Sequence, residues 1–167
     1  MKIALLGSAP SSSALAPYKD KSYVEWAKGG MKQYPLAPFV DDHWEIWGCS
    51  PGAFGVAPRA NRWFEVHRWE PGQTWFSPEY VQWLKEFPGP VYTGQAVPEL
   101  KNGVVYPVGE IEATFSSYFL TSSLALMFAL AILEIEKARV AGDMSVHTIG
   151  MWGVDMAANE EWHYQRP

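Results

Sequence analysis

Residues 2–6, KIALL, form an apolar run with no polar alternation, and the chain passes from it straight into Gly7-Ser8 and a serine-rich stretch. Such a run fits a strand covered on both faces, as in a parallel sheet packed between helices. Gly7 permits a sharp exit from the strand and a close backbone approach to a ligand. Ser8, Ser11, Ser12 and Ser13 add hydroxyls and backbone N–H groups suited to holding a phosphate. Neither the G-x-G-x-x-G dinucleotide fingerprint nor a P-loop is present, because the second glycine and the Gly-Lys pair are missing.

The same arrangement recurs. Residues 44–49 (WEIWGC) read as a second strand ending in Gly48-Cys49-Ser50, and residues 62–66 (RWFEV) as a third ending in His67-Arg68. Val91-Tyr92 and residues 104–106 read as short extended pieces, the latter at the sheet edge. Residues 146–154 form the last strand, with Asp155 at its tip. Between these runs, Ser77-Pro78-Glu79 opens a helix with a cap, a first-position proline and an early acid. A weaker helical stretch at residues 22–33 is broken by Gly29-Gly30. Thr121-Ser122-Ser123 opens the longest helix, which runs to about Val140, apolar nearly all round in its first half and charged in its second. Alternating strands and helices predict a single α/β domain over residues 1–167 with a mainly parallel sheet.

In such a sheet the carboxyl ends of the strands lie along one edge, where ligands bind. Small or functional side chains at four strand ends would then converge on one site. Ser122 and Ser123 sit at a helix N-terminus, where free N–H groups favour an anion, although simple capping explains a serine there equally well. His67 is a candidate acid or base, and Arg68 a candidate clamp for phosphate or developing negative charge. Asp155 is suited to a sugar hydroxyl or a Mg²⁺ ion. A strand-end histidine with a surface arginine, and a turn aspartate, are the plain structural readings of the same residues.

Composition narrows the partners. A net charge of −5 argues against broad contact with nucleic acid. One cysteine, Cys49, excludes an intrachain disulfide and suits a reducing compartment. One Cys and four His are too few for a zinc set. A Ser8-His67-Asp155 triad is discounted because G-x-S-x-G is absent. The longest apolar run has ten residues, 124–133, too short to span a bilayer, and the run after Lys2 is too short for a signal peptide. A cytoplasmic protein is expected. Nine tryptophans place some rings at a binding or oligomer surface, with the stretch from Trp63 to Trp75 a candidate for stacking on a base or sugar.

These residues also resemble a known superfamily. GSAPSSSAL at residues 7–15 is similar to the GxGPS-type opening shared by bacterial sialyltransferases of the Campylobacter type and the MptE-like 6-hydroxymethylpterin diphosphokinases. Trp47-Gly48-Cys49-Ser50 resembles its second motif, usually ending Cys-Asn. Residues 121–125, TSSLA, resemble its T-S-[SG] helix start, and residues 149–156, IGMWGVDM, resemble its I-x-L-x-G-[VI]-D-[MF] strand. A further likeness is to phage and prophage proteins carrying WFE-[LV]-HRWEPGQ, TSSLA and GVDMAA. The resemblance implies a Rossmann-like three-layer fold and a nucleotide or nucleotide-sugar ligand, with or without Mg²⁺, held by Gly7, Ser8, Ser11, Ser50, Ser122 and Ser123. It implies a glycosyl- or diphospho-transferase in a bacterial host cytoplasm, and the strand ends supply His67, Arg68 and Asp155 as the candidate catalytic residues. The alternatives are a non-catalytic phage accessory protein that binds a nucleotide or host partner, and a structural phage component. Three departures stand out. Ala9 replaces the second Gly, Ser50 replaces Asn, and the sequence ends before the region that holds the sialyltransferase catalytic His, as a chain lacking C-terminal elements would.

Overall fold

In the computed structural model, residues 1–18, 44–55, 57–116 and 120–154 are described. Six strands make one sheet: β1 (Lys2–Leu6), β2 (Trp44–Cys49), β3 (Arg62–Glu65), β4 (Val91–Thr93), β5 (Gly103–Val105) and β6 (Thr148–Trp152). Every neighbouring pair is parallel and the order is β5-β4-β3-β2-β1-β6. The chain steps strand by strand away from β1 as far as β5, then returns to β1's other side as β6. Right-handed crossovers in opposite directions place their helices on opposite faces. This is a Rossmann-like α/β fold.

Five helices are described: α1 (Pro10–Ser13), α2 (Ser50–Phe54), α3 (Pro78–Glu86), α4 (Val108–Phe115) and α5 (Ser123–Val140). The period-2 alternation of the strands divides the core between the faces. Ile3 and Leu5 of β1, Trp47 and Cys49 of β2, Phe64 and Tyr92 pack with α4 and α5 around Ile111, Met127 and Leu130. On the opposite face Ala4, Leu6 and Ile46 pack with Tyr18, while Trp63 and Val91 pack with Tyr80, Leu84 and Phe87 of the α3 segment. Ile3, Ala4, Leu5 and Leu6 are all fully buried, as their unbroken apolar run requires. Each of the larger ones contributes about 1.5–3 kcal/mol by leaving water.

The helix ends follow their sequence signals. Ser77 Oγ accepts from Tyr80 N–H at 3.2 Å, Pro78 occupies the first turn, and Lys85 closes the last. Ser122 Oγ accepts from Ala125 N–H at 3.2 Å at the head of α5, and Lys137 and Arg139 lie in its last turn. Three helices differ from the sequence reading. The stretches expected as serine-rich and small-residue turns wind into α1 and α2, each with a proline in its first turn. The third, α4, buries only Ile111 and so carries too little periodicity to be read. The last strand is shorter than expected, at 148–152. The helical stretch expected at 22–33 lies outside the described residues. Among the described residues no helix is long and apolar enough to cross a membrane.

Among the described tryptophans one ring lies at the surface. Trp75 is 48% exposed, whereas Trp44, Trp47 and Trp63 are buried and Trp69 packs edge-on against Phe76 at 5.2 Å. Trp63 lies in an aromatic cluster with Trp83 at 4.6 Å and Tyr80 at 6.4 Å, which fills the space between β3 and α3.

Candidate functional site

At the carboxyl edge of the sheet, the segments after β1, β2 and β6 and the head of α5 meet. Gly7 N–H donates to Trp152 O at 2.9 Å and Ala9 N–H to Gly153 O at 2.8 Å, so the exit of β1 is tied to the exit of β6. Gly153 N–H in turn donates to Ser12 Oγ at 2.9 Å. A Cβ on Gly7 would stand 2.3 Å from Gly153 O, and one on Gly153, whose φ is +67°, 2.6 Å from Gly7 O. The sequence reading assigned Gly7 to a close ligand approach. The close approach observed is to the neighbouring backbone.

Ser8 is exposed and rests on the first turn of α2, where a Cβ on Gly52 would come within 2.6 Å of Ser8 Cβ. Two residues before Gly52, Ser50 has a φ of +59°, a left-handed conformation that costs a non-glycine residue about 1–2 kcal/mol. Its Oγ lies 3.4 Å from Ser123 Oγ at the start of α5. Gly7, Ser8, Ser50 and Ser123 therefore form one contiguous rim. The Ser122 hydroxyl is used as the helix cap. The Ser11 side chain and Asp155 lie outside the described residues, as do Glu160, Glu161, His163 and Tyr164. Among the described residues no three His, Cys, Asp or Glu side chains gather as a metal site would require.

Beneath this rim the Cys49 thiol is buried and lies 3.5 Å from Leu6 O. Burial, reinforced by the charge of Glu65, pushes its pKa from 9.0 up to about 12, so it stays a thiol at neutral pH.

The exit of β3 carries a second arrangement that the sequence hid. Glu65 is fully buried. Its Oε2 accepts from Tyr80 O–H at 2.6 Å, and its Oε1 lies 2.5 Å from His67 Nδ1 and 3.3 Å from His67 N. Trp63 Nε1–H donates to the same Tyr80 oxygen at 2.7 Å. The relay thus runs Trp63 to Tyr80 to Glu65 to His67. Against the Glu65 carboxylate, which offers only lone pairs, His67 presents Nδ1 as the donor, and in the neutral ring this leaves Nε2 as the acceptor. The His67 side chain is 50% exposed. Burial, then the Glu65 charge, hold the Tyr80 hydroxyl's pKa well above its ordinary value, so it remains a donor. This is the geometry of a base oriented by a buried acid. Arg68 is 83% exposed and pairs with Glu70 at 3.0 Å, a surface contact of small energy that leaves the guanidinium free to swing.

In the sequence Glu65 reads as an ordinary strand residue. The available signal was an acid within the apolar run of β3, two positions before a histidine, which has no reason to be buried unless it is partnered.

A cleft of about 420 Å³ opens along the same edge, beyond the ends of β3, β4 and β5. Val66, Gly94 and Tyr106 contribute from the strand exits, Ile111 from α4 and Leu126 from α5. Compared with known proteins, the chain matches no family model, no curated sequence and no solved structure.

Proposed function

We propose that the protein is a nucleotide-binding transferase that moves a glycosyl or phosphoryl group from an activated nucleotide donor to an acceptor hydroxyl. The observation that carries this reading is the joining of two features at one sheet edge: the rim of Gly7, Ser8, Ser50 and Ser123, and His67 held by buried Glu65. Strands lie about 4.8 Å apart, so the ends of β1 and β3 are about 10 Å apart, within the span of a nucleoside diphosphate. The rim hydroxyls and the first N–H groups of α5 hold the donor's phosphates. The acceptor oxygen bonds to the transferred group as that group's bond to the nucleotide breaks. The acceptor proton goes to His67 Nε2, and Glu65 stabilises the imidazolium that forms. Arg68 offsets negative charge on the departing nucleotide. Asp155, at the next strand exit in the sequence, is the residue suited to a donor hydroxyl or Mg²⁺.

Thermal-shift measurements with CMP, CMP-sugars, ATP and GTP, with and without Mg²⁺, test this directly. At least one nucleotide should raise the melting temperature of the wild type but not of Ser50→Trp. No shift with any of them would overturn the reading. Nucleotide binding with no donor turnover, and no effect of His67→Ala, would reduce it to a binding protein.

A further inference from the structure

We infer that the cleft beyond β3–β5 is the acceptor subsite, and that it takes an uncharged alcohol with an aliphatic or alicyclic body rather than an anionic acceptor. This rests on the transferase reading for the word acceptor, but the ligand class follows from the cleft itself. Its walls are mainly branched aliphatic side chains: Val66, Val108, Ile111, Leu120 and Leu126. Its volume of about 420 Å³ falls in the range that encloses a small ligand. Among the described lining residues Tyr106 supplies the one ring, and its hydroxyl is already spent on Leu126 O at 2.8 Å. Among the described residues, Glu112 is the one charged lining residue and no Lys or Arg lines the cleft. A carboxylate or phosphate on the ligand's body would meet repulsion without a compensating cation.

Position links the cleft to the chemistry. Leu126 lies one turn of α5 below Ser123, which belongs to the rim. Val66 immediately precedes His67. An alcohol whose body fills the cleft therefore lies at the same strand exit as the proposed base and next to the helix that begins at the donor rim.

The test uses two ligands of one shape, cyclohexylmethanol and cyclohexanecarboxylate, measured by saturation-transfer NMR and calorimetry on the full chain without nucleotide. The alcohol should bind at least about fivefold more tightly than the carboxylate, as a like charge near Glu112 implies. Glu112→Gln, at an exposed position, should close that gap. Val108 is 45% exposed at the rim of the cleft, so Val108→Trp should abolish binding of the alcohol while the fold is retained. Equal binding of the two ligands to the wild type, or unchanged binding in Val108→Trp, would overturn the inference. Because nucleotide is absent, the two readings fail separately. Alcohol binding to a protein that ignores every nucleotide removes the transferase reading and supports the cleft, whereas nucleotide binding without alcohol binding removes the cleft.

Discussion

The two ends of β3 each bury part of a charge, and they treat it in opposite ways. At the amino end, Arg62 is bonded to Glu45 through Nε, to Glu134 at 2.5 Å and to the Tyr92 hydroxyl at 3.1 Å, with its guanidinium 4.6 Å over the Trp47 ring. Burial works against this cation, but Glu134 and Glu45 more than offset it, and its pKa is raised. At the carboxyl end, Glu65 is fully buried and its partners are a tyrosine hydroxyl and a half-exposed histidine. One network is closed by its own ion pairs, two carboxylates on one guanidinium, and serves stability. The other ends in a group that faces solvent and can exchange a proton. The second network is the one that the proposed proton transfer uses.

Removing Arg62 is the most damaging way to break this contrast. Arg62→Met leaves Glu45 and Glu134 facing each other in a partly dry site and should cost about 3 kcal/mol in urea unfolding, toward the low end for breaking a buried pair because both acids keep some solvent. Ligand binding at the opposite edge should not change. Glu65→Gln should do the reverse. Gln keeps an acceptor for Tyr80, so stability should shift by about 1 kcal/mol or less. Donor turnover should fall about 100-fold, because the amide cannot stabilise an imidazolium. If Glu65→Gln unfolds the protein while turnover per folded molecule is unchanged, the open network is structural after all.

Alkaline pH probes the carboxyl end from beneath. Cys49 has its pKa raised from 9.0 to about 12 by burial and then by Glu65, and Tyr80 is raised for the same reasons. Both groups keep their protons in the native state after the unfolded chain has lost them. The stabilisation is complete below pH 9 and drains as pH rises, from 9 toward 12 for Cys49 and from 10 upward for Tyr80, by up to about 1.4 kcal/mol per pH unit for each group. Cys49→Ala should be less stable than the wild type at pH 7, and the gap should narrow steadily above pH 9. A constant gap in unfolding free energy across that window would show that the thiol titrates alike in both states.

How much of this was legible in the sequence depends on the range of the interactions. The strands at residues 2–6, 44–49 and 62–66 were readable because burial on both faces writes itself into consecutive residues. The meeting of Ser8, Ser50 and Ser123 followed from parallel topology, since strand exits must share an edge. The relay was not readable. Tyr80 reaches Glu65 across 15 positions, and what brings them together is α3 packing on β3 through Trp63 and Leu84, a tertiary fact. Nor was the reason for Gly7, because the carbonyl it avoids belongs to Gly153, on a strand pairing formed at the far end of the chain.

The smallest effect gives the sharpest comparison. Ser50 holds a φ of +59°, a conformation that glycine adopts without penalty. Its hydroxyl makes a 3.4 Å contact with Ser123 and a weak one with the Cys49 thiol, too little to offset that strain. Ser50→Gly should therefore raise stability by about 1 kcal/mol in thermal or urea unfolding. If the hydroxyl is kept for a phosphate, the same substitution should weaken nucleotide binding several-fold, so that stability and affinity move in opposite directions. A gain in both would mean that the left-handed serine serves no ligand. A loss of stability would mean that the Ser50–Ser123 contact is stronger than its length implies, and the rim would belong with Arg62 among the closed networks.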